Sequence, residues 1–186
     1  AFIAETRHGS FTAPKIVLAC GHGITRLAPM VGLDTPIVPQ RGQVLVTERA
    51  EPVLDMALGS VRQTDEGTVQ IGHTEEGVEY NDGTTLNASQ AMARRAVKLF
   101  PQLAGLQLIP TWGCIRVLTP DKCAIYDESE EYPGAYVATS HSGVTLAAVN
   151  ARNTARWIAT GEMTPGFEEF SAKRFNKGIQ DVPSHH

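Results

Sequence analysis

The stretch from Leu86 to Phe100 carries the clearest helical period in the chain, and Pro101 ends it, because proline offers no N–H and clashes with the preceding turn. Ala91, Ala93, Val97 and Leu99-Phe100 gather largely on one side, while Arg94, Arg95 and Lys98 suit the negative end of the helix dipole. On either side the period is that of strands. Arg41-Gly42-Gln43-Val44-Leu45-Val46-Thr47-Glu48 reads as one, and Leu106 to Leu118 as another, longer one. A helix set between strands that are far apart in sequence gives a mixed α and β chain whose long strands pair at a distance.

The remaining segments extend this pattern. Residues 1–6 alternate apolar and polar, His8-Gly9-Ser10 is a turn, and Lys15 to Cys20 is a buried strand halted by Gly21-His22-Gly23. Thr25 to Gly32 has helical spacing with Gly32 as C-cap. Strands follow around 59–64 and 68–72 across an Asp65-Glu66-Gly67 turn, and 75–85 is a polar loop. Thr119-Pro120-Asp121-Lys122 is a turn, Cys123–Tyr126 a short strand, and Gly134–Thr139 a buried strand. Ser140-His141-Ser142-Gly143 leads into a predicted helix over 144–159, with Leu146, Val149, Ala155 and Ile158 inward, and a helix or tail lies around 168–174. A small mixed or antiparallel sheet beside a second sheet is the expected fold class, α+β.

Bulk properties narrow the function. With 16 basic and 20 acidic side chains the net charge is −4, so nothing draws the chain to nucleic acid or an anionic membrane. No apolar run is long enough for a membrane span. Cys20, Cys114 and Cys123 are an odd, scattered set with no metal spacing, which favours a reducing cytoplasm over a disulfide framework. The chain opens on Ala1-Phe2-Ile3-Ala4 without Met, the form expected of a fragment or processed chain, and His185-His186 takes no part in the site reasoning.

No nucleophile elbow, phosphate loop or Gly-x-Gly-x-x-Gly opening occurs, so no self-contained catalytic set is expected. Three constellations stand out, each with a plain alternative. Ser142-Gly143-Val144-Thr145-Leu146, at a strand-to-helix junction, would point backbone N–H groups and a positive dipole end at an electron-rich group; alternatively Ser142 is an ordinary N-cap. Arg116, in a strand with Trp112, suits a substrate carboxylate, or an internal salt bridge. Arg41-Gly42-Gln43 opens a strand where glycine lets a planar ligand approach, or where Gly42 only relieves crowding at a bulge. His22, His73 and His141 are read as solvated or capping residues, and Glu128–Glu131 as a solvated loop.

In order, these pieces resemble the second half of the D-amino-acid oxidase family, which includes glycine and sarcosine oxidases and flavin subunits of amino-acid and opine dehydrogenases. The resemblance rests on Ile16–Gly21, Pro39–Glu48, Val69–Glu75, Trp112–Arg116 with Thr119-Pro120-Asp121, and Tyr136–Leu146, and spans about residues 1–160. It implies a substrate-domain sheet with flanking helices plus part of a Rossmann-like FAD-binding domain, whose N-terminal portion would precede residue 1. Residues 1–38 and 119–160 would then belong to the FAD-binding domain, 39–118 to the substrate domain and 161–186 to a C-terminal helix or tail.

Under the same resemblance, Arg116 pairs with the substrate carboxylate. Gly21, Arg41, Gly42, Gln43 and Ser142 through Leu146 (Gly143, Val144 and Thr145 included) lie toward FAD. The chemistry implied is oxidation of the C–N bond of an amino acid or related amine by hydride transfer to FAD, with no general base in the protein. A complementary FAD-binding portion or another subunit is the expected partner, and FAD binding by this chain alone is not expected. The sequence departs from the family at several points. Lys122 and Ala124 stand for glycine and proline after the Thr-Pro-Asp turn, Tyr126-Asp127 for an apolar residue and glycine, Ser140 for glycine, and Ala148 and Ala151 for proline and glycine. These departures motivate the alternative, a non-catalytic module or assembly subunit that stabilises a partner.

Overall fold

The computed structural model describes residues 1–177; the His185-His186 pair and the end of the tail lie outside the described residues. The described chain is mixed α+β and divides into two compact units, one formed by residues 1–38 and 117–177 and the other by residues 39–116.

In the first unit, β1 (Phe2–Thr6) and β2 (Gly9–Ala13) form an antiparallel hairpin. A separate sheet is built from β3 (Ile16–Leu18), β9 (Ile125–Glu128) and β10 (Ala135–Thr139). Its order is β3-β10-β9, with β10 parallel to β3 and antiparallel to β9. Strand alternation divides its side chains between two cores. Leu18, Val137 and Ile125 pack with Ile24 of α1 (Ile24–Leu27), Ala28, Leu33 and Ala172. On the opposite side Tyr136 and Tyr126 meet Trp157 and Phe167; Tyr136 and Trp157 make an edge-to-face pair at 5.2 Å, and Tyr126 and Phe167 stack at 5.0 Å. Gly32, at φ +66, terminates the short 3₁₀ turn Ala28–Val31 that follows α1.

The second unit is a five-stranded sheet covered by one helix. Here β4 (Val38–Arg49) pairs antiparallel with β6 (Thr68–Gly72) and β7 (Glu76–Gly77), β5 (Val61–Gln63) pairs with β6, and β8 (Leu108–Leu118) also pairs with β4. Leu45, Val61, Val69 and Ile71 share one face and pack against Met92 and Ala96 of α2 (Leu86–Leu99). The buried stripe of α2 is therefore Met92, Ala93, Ala96, Val97 and then Phe100. Ala91 and Leu99, expected inside, are exposed, because the stripe is set one residue around the helix from that expectation.

The last helix also differs from expectation. Residues 141–146 form turns, and the helical run begins with α3 (Ala147–Val149), widens into a π turn at Asn150–Thr154 and finishes as α4 (Ala155–Thr160). Leu146, at φ −86 and ψ 2, lies off α geometry, which delays the start beyond Val144. The π turn inserts a residue into the period, so Thr154 and Trp157 become the buried positions while Ala155 faces outward.

Candidate functional site

On β4, alternation sends Arg41, Gln43 and Leu45 toward α2 and sets Gly42 and Val44 on the other face. Arg116 of β8 lies on that second face. A β-carbon built on Gly42 would stand 2.6 Å from Nη2, 2.7 Å from Nε and 2.9 Å from Cζ of Arg116. Glycine at position 42 is thus what leaves room for the guanidinium. Nη2 of Arg116 also donates to the backbone carbonyl of Thr74 at 3.3 Å. Trp112, an even number of positions earlier on β8, is 44% exposed, and Cys114 between them is exposed. A planar cation fixed by a carbonyl on one side and bare backbone beneath is suited to a carboxylate ligand.

Arg41 and Gln43 have a different employment. Arg41 is buried and its Nη2 donates to Oε2 of Glu76 at 2.8 Å, while Nη1 reaches the carbonyl and Oδ1 of Asn81 at 3.4 Å. Gln43 is fully buried; its Nε2 donates to Oε1 of Glu76 (2.6 Å) and to Oγ1 of Thr85 (3.1 Å), and its Oε1 accepts from the N–H of Thr85 (2.9 Å), at the entrance to α2. Thr74 Oγ1 donates to Oε1 of Glu76 (2.7 Å) and accepts from the N–H of Gln43 (3.0 Å). With the Arg41 guanidinium as main cause, helped by Thr74 and Gln43, the Glu76 carboxyl titrates at about 2, despite burial acting the other way. The 81–83 loop pinned by Arg41 presses on β8 at Gly113, where a β-carbon would meet the Asp82 carbonyl oxygen at 2.5 Å. So of the Arg-Gly-Gln triplet only Gly42 meets Arg116, and the two flanking side chains brace the sheet from behind.

In the first unit, Gly21 follows β3 at φ +57, a left-handed conformation that favours glycine. The Ser142–Leu146 segment follows β10 as a turn closed by the Leu146 N–H donating to the Ser142 carbonyl at 2.9 Å. Its residues His141 to Thr145 are exposed, Val144 at 95%. Ser142 is no N-cap of the helical run; its hydroxyl lies 3.3 Å from Nδ1 of His141. Oγ of Ser140 would stand 4.0 Å from a β-carbon at Gly143, so serine in place of glycine there does not crowd the turn. An exposed turn opening a helical run fits one edge of an electron-rich ring such as a flavin. A glycine-rich diphosphate loop is not in the sequence.

Sequence reasoning passed over Glu76, placing it in a polar loop. The signal was the spacing of Arg41-x-Gln43, which puts an arginine and an amide on one face of β4, where they need an acidic partner; Glu76 pairs with Arg41 in register, and Thr74 lies in the connector just before β7. Likewise the Thr-Pro-Asp turn is held by an unforeseen partner. Arg174 binds Asp121 with Nε to Oδ2 at 2.7 Å and Nη2 to Oδ1 at 3.1 Å. Lys122 in that turn has φ +63, a left-handed conformation that costs a residue with a β-carbon. Among the described residues, no cluster of His, Cys, Asp or Glu is placed to hold a metal, and no helix is long and apolar enough to cross a membrane.

Solved structures share this fold. L-proline dehydrogenase from P. horikoshii superposes with a TM-score of 0.84 at 23% identity, over 95% of this chain and 50% of that one. Glycine oxidase from Geobacillus kaustophilus gives 0.82 at 23% identity, over 91% and 48%. At that identity the likeness is one of fold. By sequence, residues 1–157 match the DAO family of FAD dependent oxidoreductases, and the chain belongs to that family. An opine oxidase subunit of Agrobacterium tumefaciens (strain Ach5) is 42% identical over 175 residues, which are 94% of this chain and 47% of that protein. The chain spans about half the length of the curated relatives it matches.

Proposed function

We propose that this chain carries the substrate-carboxylate clamp and one flavin-facing turn of an oxidoreductase that oxidises the C–N bond of an amino acid or related amine. The observation that carries the reading is the Arg116 guanidinium seated over Gly42 and tied to the Thr74 carbonyl. Arg116 would pair both carboxylate oxygens of the substrate and so orient the carbon bearing the amine. FAD, when bound in the complete protein, supplies the acceptor for the hydride leaving that carbon, and water then hydrolyses the resulting imine. Ser142, Gly143, Val144 and Thr145 would offer backbone N–H groups, and the helical run that opens at Leu146 its positive end, to negative charge on the ring, with Gly21 letting the backbone come close. Arg41 and Gln43 would act from behind the sheet by fixing β4, and Gly42 by admitting the guanidinium.

A complementary FAD-binding portion or another subunit belongs to this reading. It is supported by the half-length match and by the opine oxidase relative being named as a subunit. Three exposed free thiols suit a reducing cytoplasm. A non-catalytic assembly role is the second reading, favoured by Lys122 holding a left-handed position. The deciding experiment compares Arg116→Ala with the unaltered complete, flavin-loaded protein on amino acids and on the amines that lack their carboxylate. A KM raised at least tenfold for the amino acids alone supports the clamp. Equal KM values would favour the assembly role.

A further inference from the structure

Glu76 and Thr74 form a chain of contacts that starts behind the sheet and ends at Arg116. Glu76 accepts from Arg41, Gln43 and the Thr74 hydroxyl, which fixes residue 74 against the start of β4. The carbonyl of the same Thr74 accepts from Nη2 of Arg116, and the N–H of Gln43 donates to its hydroxyl, so Thr74 is held from both neighbours. The Arg41–Glu76 ion pair has side chains only 6% and 25% exposed, which limits screening by water. Gly42, beneath the guanidinium, sits between Arg41 and Gln43 on β4 and inherits their placement.

Resting on the clamp reading above, we infer that Glu76, with Thr74 as its relay, is a positioning residue that sets the direction of the Arg116 guanidinium for a carboxylate ligand. Glu76 does not touch the ligand: its carboxylate lies on the α2 face, and a second anion beside the substrate carboxylate would repel it. Its effect is transmitted through the place of one carbonyl oxygen. A bidentate carboxylate pair is sensitive to such placement, because both N–H vectors must stay aligned with both oxygens. Removing the Glu76 charge should therefore weaken ligand binding while leaving the reaction of the bound substrate nearly unchanged.

The test uses the complete, flavin-loaded protein titrated with benzoate, and with benzamide as its uncharged isostere, followed by the change in visible flavin absorbance. Glu76→Gln is expected to weaken benzoate binding about 5- to 20-fold and benzamide binding less than 2-fold, and to raise substrate KM with kcat within about 2-fold. Thr74→Val, which keeps the Arg41–Glu76 pair and the residue's shape, should shift benzoate in the same direction by a smaller factor. Glu76→Asp should recover part of the loss. In an Arg116→Ala background neither substitution should weaken benzoate binding further, since the group they position is gone. Undiminished losses in that background, or equal losses for benzoate and benzamide, would overturn the inference while leaving the clamp standing. If Arg116→Ala leaves benzoate binding unchanged, or the unaltered protein prefers benzamide, the clamp reading falls and the role of Glu76 falls with it. Should Glu76→Gln fail to fold, Thr74→Val alone decides between these outcomes.

Discussion

Gly42→Ala separates the ligand role of Arg116 from the stability of its sheet. The new methyl group would lie 2.6 to 2.9 Å from three atoms of the guanidinium. Restoring a separation of roughly 3.5 Å requires the group to retreat by about 1 Å. The obstacle is the far end of a flexible side chain, so the backbone need not move, and alanine is favoured over glycine in a strand by about 0.5 kcal/mol. Thermal unfolding should therefore stay within about 0.5 kcal/mol of the parent, or improve. Ligand binding should not. A guanidinium moved by that distance, with its bond to the Thr74 carbonyl at 3.3 Å disturbed, forfeits a charge-assisted contact of about 1.5–3 kcal/mol, or roughly 10- to 100-fold in Kd. Calorimetry gives the first number, and benzoate titration of the complete flavin-loaded protein gives the second. A carboxylate Kd within twofold of the parent, in a protein that folds normally, would refute the placement of the ligand at Arg116.

Three further outcomes follow from the same geometry. Lys122→Gly should raise stability by about 0.5–1 kcal/mol in urea unfolding, because it removes the cost of a left-handed β-carbon at φ +63 and concedes part of that gain to the looser unfolded chain and lost side-chain interactions. Arg174→Ala should lower stability by about 2 kcal/mol and loosen the C-terminal turns in hydrogen exchange. It strands Asp121, whose carboxyl burial would raise but whose bonds from Arg174, Cys123 and Thr119 hold low, and it frees the carbonyls of Phe170 and Ala124. Glu76 titrates near 2 in the fold against an ordinary 4.5, so its stabilisation is complete above pH 4.5 and is lost as pH falls from there toward 2. Unfolding free energies measured across that window should converge for the parent and Glu76→Gln, from a gap of roughly 2 kcal/mol at neutral pH, discounted for partial exposure.

What could be read from the sequence was what local chemistry dictates. Pro101 ended a helix, Gly32 closed a turn, and the apolar runs at Arg41–Glu48 and Gly134–Thr139 became strands. What escaped was set by neighbours remote in sequence. Met92 rather than Ala91 faces inward because the sheet opposite chooses the stripe. Trp157 is buried because a π turn advances the period after Asn150, and no residue type announces such a turn. At the candidate site, Arg116 was identifiable as an arginine in need of a partner, but its seat over Gly42 depends on the register of β8 against β4. Arg41 and Gln43 were grouped with Gly42 by adjacency, whereas strand alternation assigns adjacent residues to opposite faces.

The division of the chain also orders its assembly in time. Residues 39–116 are contiguous, and every strand pair in that sheet joins segments that emerge from the ribosome within one stretch of synthesis. The other sheet cannot begin so early. Ile16 of β3 finds its parallel partner at Ala135, roughly 120 residues later, a delay on the order of ten seconds at usual elongation rates. During that interval β3, with the apolar Val17 and Leu18, waits without its strand, as a segment of high contact order must. Until β10 is made, residues 16–18 lack the pairing they have in the folded unit, so this sheet closes after the sheet of residues 39–116.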